Sequence, residues 1–276
     1  MSKKGITGFG LFACMMMCSS FAGLMYASFS GEVDLLAYAL AQAAVAAAGA
    51  IAALLFFKPK SSHSAKLKKL NTPLRGVCVL LTLLMTFVLM IDYALFLGSF
   101  THISGRFYGY FAVLLLVSIF SARKGIAALT RCAAIFFITV GVLDAAELVL
   151  LSLRFNLDEV KQATVSAENL TTALAFACLQ LVPLPVFAVF REKLPTNRRK
   201  PLLLWSVLSP AFTAAWAFLT LGALGDYAQY VRFPFYTASQ TIAAGTFRRL
   251  DGVFLCTRMT GAFLLLSTAI CAAFGF

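Results

Sequence analysis

The chain has 276 residues, 61% of them hydrophobic and only 12% charged, with a mean hydropathy of +0.88. A soluble domain of this size needs far more charge on its surface, so composition excludes one and indicates an integral membrane protein. The net charge of +12 is split among short loops instead of lying on one aromatic-bearing face, which excludes a nucleic-acid-binding module.

Eight apolar segments follow one another over residues 5–28, 34–57, 76–99, 107–122, 125–153, 170–190, 201–225 and 250–274. Most reach the roughly 20 residues that a spanning helix requires. They predict an all-α integral membrane protein, one polytopic transmembrane domain over residues 1–276 with about eight transmembrane helices.

The first segment follows Lys3 and Lys4 and carries Gly8, Gly10 and Gly23 around CMMMCSSFAG. It is longer than the roughly 7–15-residue apolar region of a cleaved signal peptide and is expected to remain as a span. Its glycines permit either an unwound helix or close helix packing. The second segment is rich in alanine, and a basic loop from Lys58 to Arg75 with Pro59 and Pro73 then reads as a solvated face near anionic lipid. Asp92 and Tyr93 lie in the third segment. Arg123 and Lys124 separate the fourth from the fifth, where Asp144 and Glu147 share a helix face at i, i+3.

The loop from Arg154 to Asn169 holds Asp158, Glu159 and Glu168 and predicts a short polar helix or coil. Pro183 and Pro185 in the sixth segment mark an unwound stretch, a kink or the end of the span. After the seventh segment, residues 226–249 are too polar to span yet rich in aromatics. They suit an interfacial or re-entrant helix capping the outer mouth, or an ordinary amphipathic loop. The eighth segment contains Arg258.

Lys and Arg fall in alternate loops. With the amino terminus placed inside, sixteen lie on the inner side, six on the outer side, and Arg258 within a span. That bias predicts both termini on the inner, cytoplasmic side of the membrane.

The seven cysteines lie in apolar segments and read as packing residues, with no disulfide framework and no metal site. His63 and His102 fall in loops on opposite sides, so no span offers a haem ligand and no cofactor is expected. HExxH, GxxxxGK[ST] and GxSxG patterns are missing from the sequence, and no enzymatic activity is expected. A charge at the centre of a span costs at least about 2.5–3.5 kcal/mol, so Asp92, Asp144, Glu147 and Arg258 each need a partner, water or a neutral form. Counting residues from the span ends puts Asp92, Asp144 and Arg258 in the outer half, and Arg258 is expected to pair with Asp92 or Asp144. The cluster is either a static ion pair or a functional one, in which Asp92 or Asp144 binds a proton or an amine and Arg258 gates it or holds a carboxylate.

Three stretches carry a family resemblance: SARKGIAALTR over residues 121–131, FACLQLVPLPVFAVFREKLPTNRRK from the sixth segment into its basic loop, and FPFYTASQTIAAGTFRRLDGVF over residues 233–254. Together they resemble the spore germination permease family, a branch of the amino acid-polyamine-organocation transporter superfamily. The resemblance implies a ten-helix fold of two inverted five-helix repeats (5+5), here lacking its last two helices. It also implies a ligand site between broken spans one and six, flanked by spans three and eight. Carried onto this chain, the substrate-binding residues are Ser19, Ser20, Ala22, Gly23, Asp92, Tyr93, Phe176, Cys178, Gln180 and Arg258. Helix N-termini at the breaks would hold an amino acid carboxylate. In the sixth span, Cys178 or Gln180 stands near a position where the family commonly has an acidic residue. Arg258 replaces a usual aromatic. The implied role is a germinant receptor subunit in the bacterial inner membrane, including that of the spore, that binds a small amino acid beside other germination receptor subunits. A proton-coupled amino acid transporter and a non-transporting membrane scaffold are the alternatives.

Overall fold

The computed structural model describes residues 6–25, 34–56, 66–100, 106–162, 165–191, 193–195, 198–242 and 251–275. Among these the chain is helical and has no strand: α1 (Gly8–Leu24), α2 (Leu35–Phe56), α3 (Lys66–Phe100), α4 (Arg106–Ala122), α5 (Ile126–Ser152), α6 (Leu157–Gln162), α7 (Ala167–Cys178), α8 (Pro183–Val189), α9 (Arg199–Leu224), α10 (Pro234–Thr241) and α11 (Asp251–Phe274). Six helical stretches among the described residues are long and apolar enough to cross a membrane: 35–54, 73–99, 126–152, 167–189, 199–230 and 251–274. Two shorter apolar helices, 8–24 and 109–122, accompany them.

α1 is the hub. Its sequence GFGLFACMMMCSSFAGL is apolar or small on every face, and residues 10–24 are all buried, as an all-round apolar helix should be. α5, α9 and α11 enclose it, with the α7–α8 connection on a further side. α2 presents mostly alanine and packs closely along α9 and α7, while α3 lies against α8, α11 and α4. The outward faces of α3, α4 and α5 are apolar: Leu80, Phe87, Leu116, Phe120, Ile135 and Val142 are each more than 60% exposed. Such an apolar exterior around a polar-seamed interior suits a hydrocarbon solvent.

The predicted segments differ from the helices in three instructive ways. α3 starts at Lys66, ten residues ahead of the apolar run, because Lys and Leu are good helix formers and polarity marks the edge of the apolar zone rather than the end of a helix. α7 starts at Ala167, where the Ser166 hydroxyl caps the first turn by accepting from the Asn169 amide at 3.1 Å and Glu168 complements the helix dipole. The polar loop before it forms the single-turn helix α6. The first apolar segment is unbroken, however: α1 is regular from Gly8 to Leu24, so Ser19, Ser20, Ala22 and Gly23 sit in continuous helix rather than at an unwound centre. Its glycines serve close packing. The loop over 58–65 with His63, the stretch over 101–105 with His102, Lys3, Lys4, and the motif residues 243–250 with Arg248 and Arg249 lie outside the described residues.

Candidate functional site

The sixth apolar segment is interrupted, and its prolines explain how. Pro183 and Pro185 have no N–H, so the Leu179 and Leu181 carbonyls lose the donors that would stand four residues on. The chain tightens into a 3-10 turn over Leu179–Leu181, in which the Leu179 carbonyl accepts from the Val182 amide at 3.1 Å, and α8 restarts with Pro183 in its first turn.

Between the two affected carbonyls, that of Gln180 accepts from the Ser19 hydroxyl of α1 at 2.8 Å. Ser19 Oγ in turn accepts from Trp205 Nε1 at 2.9 Å. The Gln180 side chain extends the network: Nε2 donates to Gln42 Oε1 at 2.8 Å and to the Tyr38 hydroxyl at 3.3 Å, and Oε1 accepts from the Thr213 hydroxyl at 3.4 Å. The Tyr38 hydroxyl donates to the Gly23 carbonyl at 2.7 Å. Gly23 is required here, because a Cβ would lie 2.7 Å from Thr213 Oγ1 and 2.8 Å from Gln180 Nε2. All of these groups are buried, so each hydrogen bond replaces one that water cannot supply.

A charged cluster joins the next residue of α1. Gly261 brings α11 against α1, where an added Cβ would stand 2.6 Å from Phe21 Cβ and 3.2 Å from the Met17 carbonyl oxygen. One turn earlier, Arg258 spans three partners. Its Nη1 donates to Ser20 Oγ at 2.9 Å and to the Ser20 carbonyl at 3.3 Å, its Nε to Thr257 Oγ1 at 3.2 Å, and its Nη2 to Asp144 Oδ1 of α5 at 2.5 Å. The guanidinium also lies 5.1 Å from the centroid of the Phe254 ring. Arg258 is the one buried cation among the described residues. Glu147, three residues after Asp144, is equally buried, and neither carboxylate oxygen has a hydrogen-bond partner among the described residues. From the ends of α5 and α11, these three side chains lie about 8–12 Å inside the bundle.

Aromatic rings cover that end. α10 is a short helix within the aromatic-rich stretch, for which the sequence left a helix or an ordinary loop open, and it lies across α9 and α11. It contributes Phe235 and Tyr236, and Phe233 precedes it. Phe96 of α3 meets Phe233 at 5.1 Å, Tyr236 at 5.5 Å and Phe254 at 6.4 Å between ring centroids. Trp216 meets Phe254 at 5.9 Å and Phe235 at 6.4 Å. Tyr93 stacks on Phe96 and packs edge-on against Phe21 of α1. The Tyr236 hydroxyl donates to Asp251 Oδ2 at 2.9 Å, fastening α10 to the start of α11.

The residues singled out in the sequence thus divide. Ser19 with Gln180, Ser20 with Arg258 and Asp144, and Tyr93 with Phe21 meet around α1; Ala22 and Gly23 lie on the same helix. Asp92 stands apart: it is buried, but Arg258 pairs with Asp144 and not with it. α3 meets α11 with Phe96 against Phe254, while α5 brings Asp144 alongside Arg258. Cys178 points out of the bundle and is exposed, and Phe176 is half-buried against the core. On the 3-10 turn only Gln180 faces inward. Sequence reasoning missed Tyr38, Gln42, Trp205, Thr213 and Trp216. Gln42, a lone amide in an alanine-rich span, was the readable signal among them. No group of three or more His, Cys, Asp or Glu side chains that could hold a metal occurs among the described residues.

Comparison of the chain with family models, with curated proteins and with solved structures gives no match.

Proposed function

We propose that this chain is a permease-like membrane protein that binds a small amino acid between α1, α3, the α7–α8 interruption and α11. The observation that carries this reading is the meeting of a buried arginine, Arg258, with the central helix at Ser20, one residue from the serine that closes the broken sixth span. An arginine inside an apolar bundle is expensive unless it is used, and it is suited to a ligand carboxylate. The aromatic rings of α3, α10 and α11 above it supply an apolar lid of the kind that excludes water from a small-molecule site.

On this reading the eight apolar helical segments are transmembrane, with α1–α5 as one five-helix repeat and α7–α8, α9 and α11 as the opening part of an inverted second one. Both termini then lie in the cytoplasm of a bacterial inner membrane, and α10 caps the outer mouth. The germination-permease resemblance makes the protein a germinant receptor subunit, with companion germination proteins as partners. Because α1 is continuous over its described length, the ligand carboxylate is assigned to Arg258 rather than to free amides of the first span.

The test is a thermal-shift and calorimetric screen of the purified protein in lipid nanodiscs against the twenty amino acids. Saturable binding of a small one, abolished in Arg258→Lys, is expected, because lysine cannot reproduce the planar contact with both Ser20 and Asp144. No saturable binding of any amino acid would count against the reading and favour a scaffold. A proton-coupled transporter is the second reading, favoured by the unpartnered Glu147 carboxylate. Concentrative uptake into proteoliposomes driven by a pH gradient would select it, and binding without flux would select the receptor.

A further inference from the structure

We propose that Asp144, Arg258 and Glu147 form a one-proton binding site, in which Glu147 carries the proton while Arg258 is paired with Asp144. Two buried carboxylates share one buried guanidinium, and that guanidinium lies 2.5 Å from Asp144. Glu147 is 1% exposed and neither of its oxygens has a hydrogen-bond partner among the described residues, so an ionised Glu147 would be a buried charge whose one nearby cation, Arg258, is already paired with Asp144. One bound proton removes the excess.

Among the described residues, the elements packed against α5 place no other positive charge beside Glu147, and α4 carries none over residues 109–122. From α11, Glu147 faces Arg258 and the backbone amide of Phe254; from its own helix it faces Asp144. α1, packed along α5, presents Cys14 and Cys18 but no charge. α10 carries no charged side chain, and its Tyr236 is bonded to Asp251. Arg199 and Lys200 of α9 stand at the far end of that helix, since it is Gly222, near its other end, that meets the chain just past α5 at Asn156. A proton is also the cation that fits, because both Glu147 oxygens are enclosed by protein atoms, which leaves no room beside them for a metal ion or an ammonium group.

The spacing of the acids gives the site a second state. Asp144 and Glu147 stand one helical turn apart on α5, so the Arg258 guanidinium can turn from one to the other. When Glu147 releases its proton to water it becomes the better partner for Arg258, which must then loosen its hold on Asp144 and on Ser20. Loss of the proton is thereby coupled to the contact between α11 and α1. This site stands whether or not an amino acid binds.

Infrared difference spectroscopy on the full chain in nanodiscs, with no solute added, tests the proposal. At neutral pH the wild type is expected to show the carbonyl stretch of a protonated carboxylic acid, shifted by labelling with 13C-glutamate and unaffected by 13C-aspartate. Glu147→Gln, a neutral isostere, is expected to lack that band. Asp144→Asn is expected to lose it too, because Arg258 then becomes the partner of Glu147 and the proton leaves. Absence of a glutamate-sensitive protonated-acid band in the wild type would overturn the assignment, as would survival of that band in Glu147→Gln. The isotope arm uses the unaltered protein, so the protonated glutamate can be detected or refuted even where a variant fails to fold. Persistence of the band in Asp144→Asn would overturn the exchange of partners.

Discussion

Two polar networks meet at adjacent residues of α1, and they are built to different standards. The network at Ser19 is neutral and nearly closed: Gln180, Tyr38, Thr213 and Trp205 interlock around it, and Gln42 leaves one amide nitrogen unused. The cluster at Ser20 is charged and open, with two carboxylates for one guanidinium and a glutamate that has no hydrogen bond among the described residues. A closed network repairs a broken helix and fixes architecture. An open one retains capacity for something else. Where neighbouring sites in one apolar bundle differ in this way, the unsatisfied one is the better candidate for function.

The largest expected effect comes from removing the cation. Arg258→Ala leaves Asp144 buried without its partner and strips Ser20 of its donors, and should lower stability by about 3–5 kcal/mol, read as the midpoint of unfolding in mixed micelles. Replacing Arg258, Asp144 and Glu147 together by Met, Leu and Leu should restore most of that loss, since buried ion pairs contribute little net stability against apolar groups of similar size. A triple variant as unstable as Arg258→Ala would show that the charged cluster is architecture after all, and the contrast with the Ser19 network would collapse.

Gln180→Leu addresses the other network. It deprives Gln42, Tyr38 and Thr213 of a shared partner within the bundle, and a loss of about 1–3 kcal/mol is expected. Gly23→Ala should cost slightly less, about 1–2 kcal/mol, because its Cβ would press on the ends of two side chains, Thr213 and Gln180, that can shift by a few tenths of an ångström. Unfolding midpoints measured beside Gln180→Leu would rank the two, and a Gly23→Ala variant at least as stable as the wild type would contradict the close packing assigned to α1.

The helices were legible from hydropathy to within a few residues at most ends, because an apolar run long enough to span leaves few alternatives. Two features were not. The continuity of α1 depends on what its glycines touch, and close packing and unwinding leave the same sequence trace. The choice of Asp144 over Asp92 as the partner of Arg258 depends on which residues α3 and α5 each turn toward α11, and residue depth alone places both acids at one level. Pro183 and Pro185, by contrast, marked where backbone hydrogen bonds must be lost, since that follows from covalent structure, while leaving an unwound stretch, a kink or the end of the span open. The neutral network was hidden for a simpler reason: Tyr38, Trp205 and Thr213 are ordinary residues of apolar spans, and only tertiary contact makes them partners.

The smallest effect bears on what covers the charged cluster. Tyr236→Phe removes one hydrogen bond, that to Asp251, while keeping the ring that packs against Phe96 and Phe254. A stability loss of about 0.5–1.5 kcal/mol is expected, since Asp251 is only partly buried and water can replace the hydroxyl. The kinetic consequence should exceed the thermodynamic one. If α10 closes over the cluster, loosening its tie to α11 should speed hydrogen exchange of the amides around residues 234–241 and leave those of α1 unchanged. Equal protection of α10 in the variant and the wild type would mean that ring packing alone holds it, and the hydroxyl would then have no part in the cover.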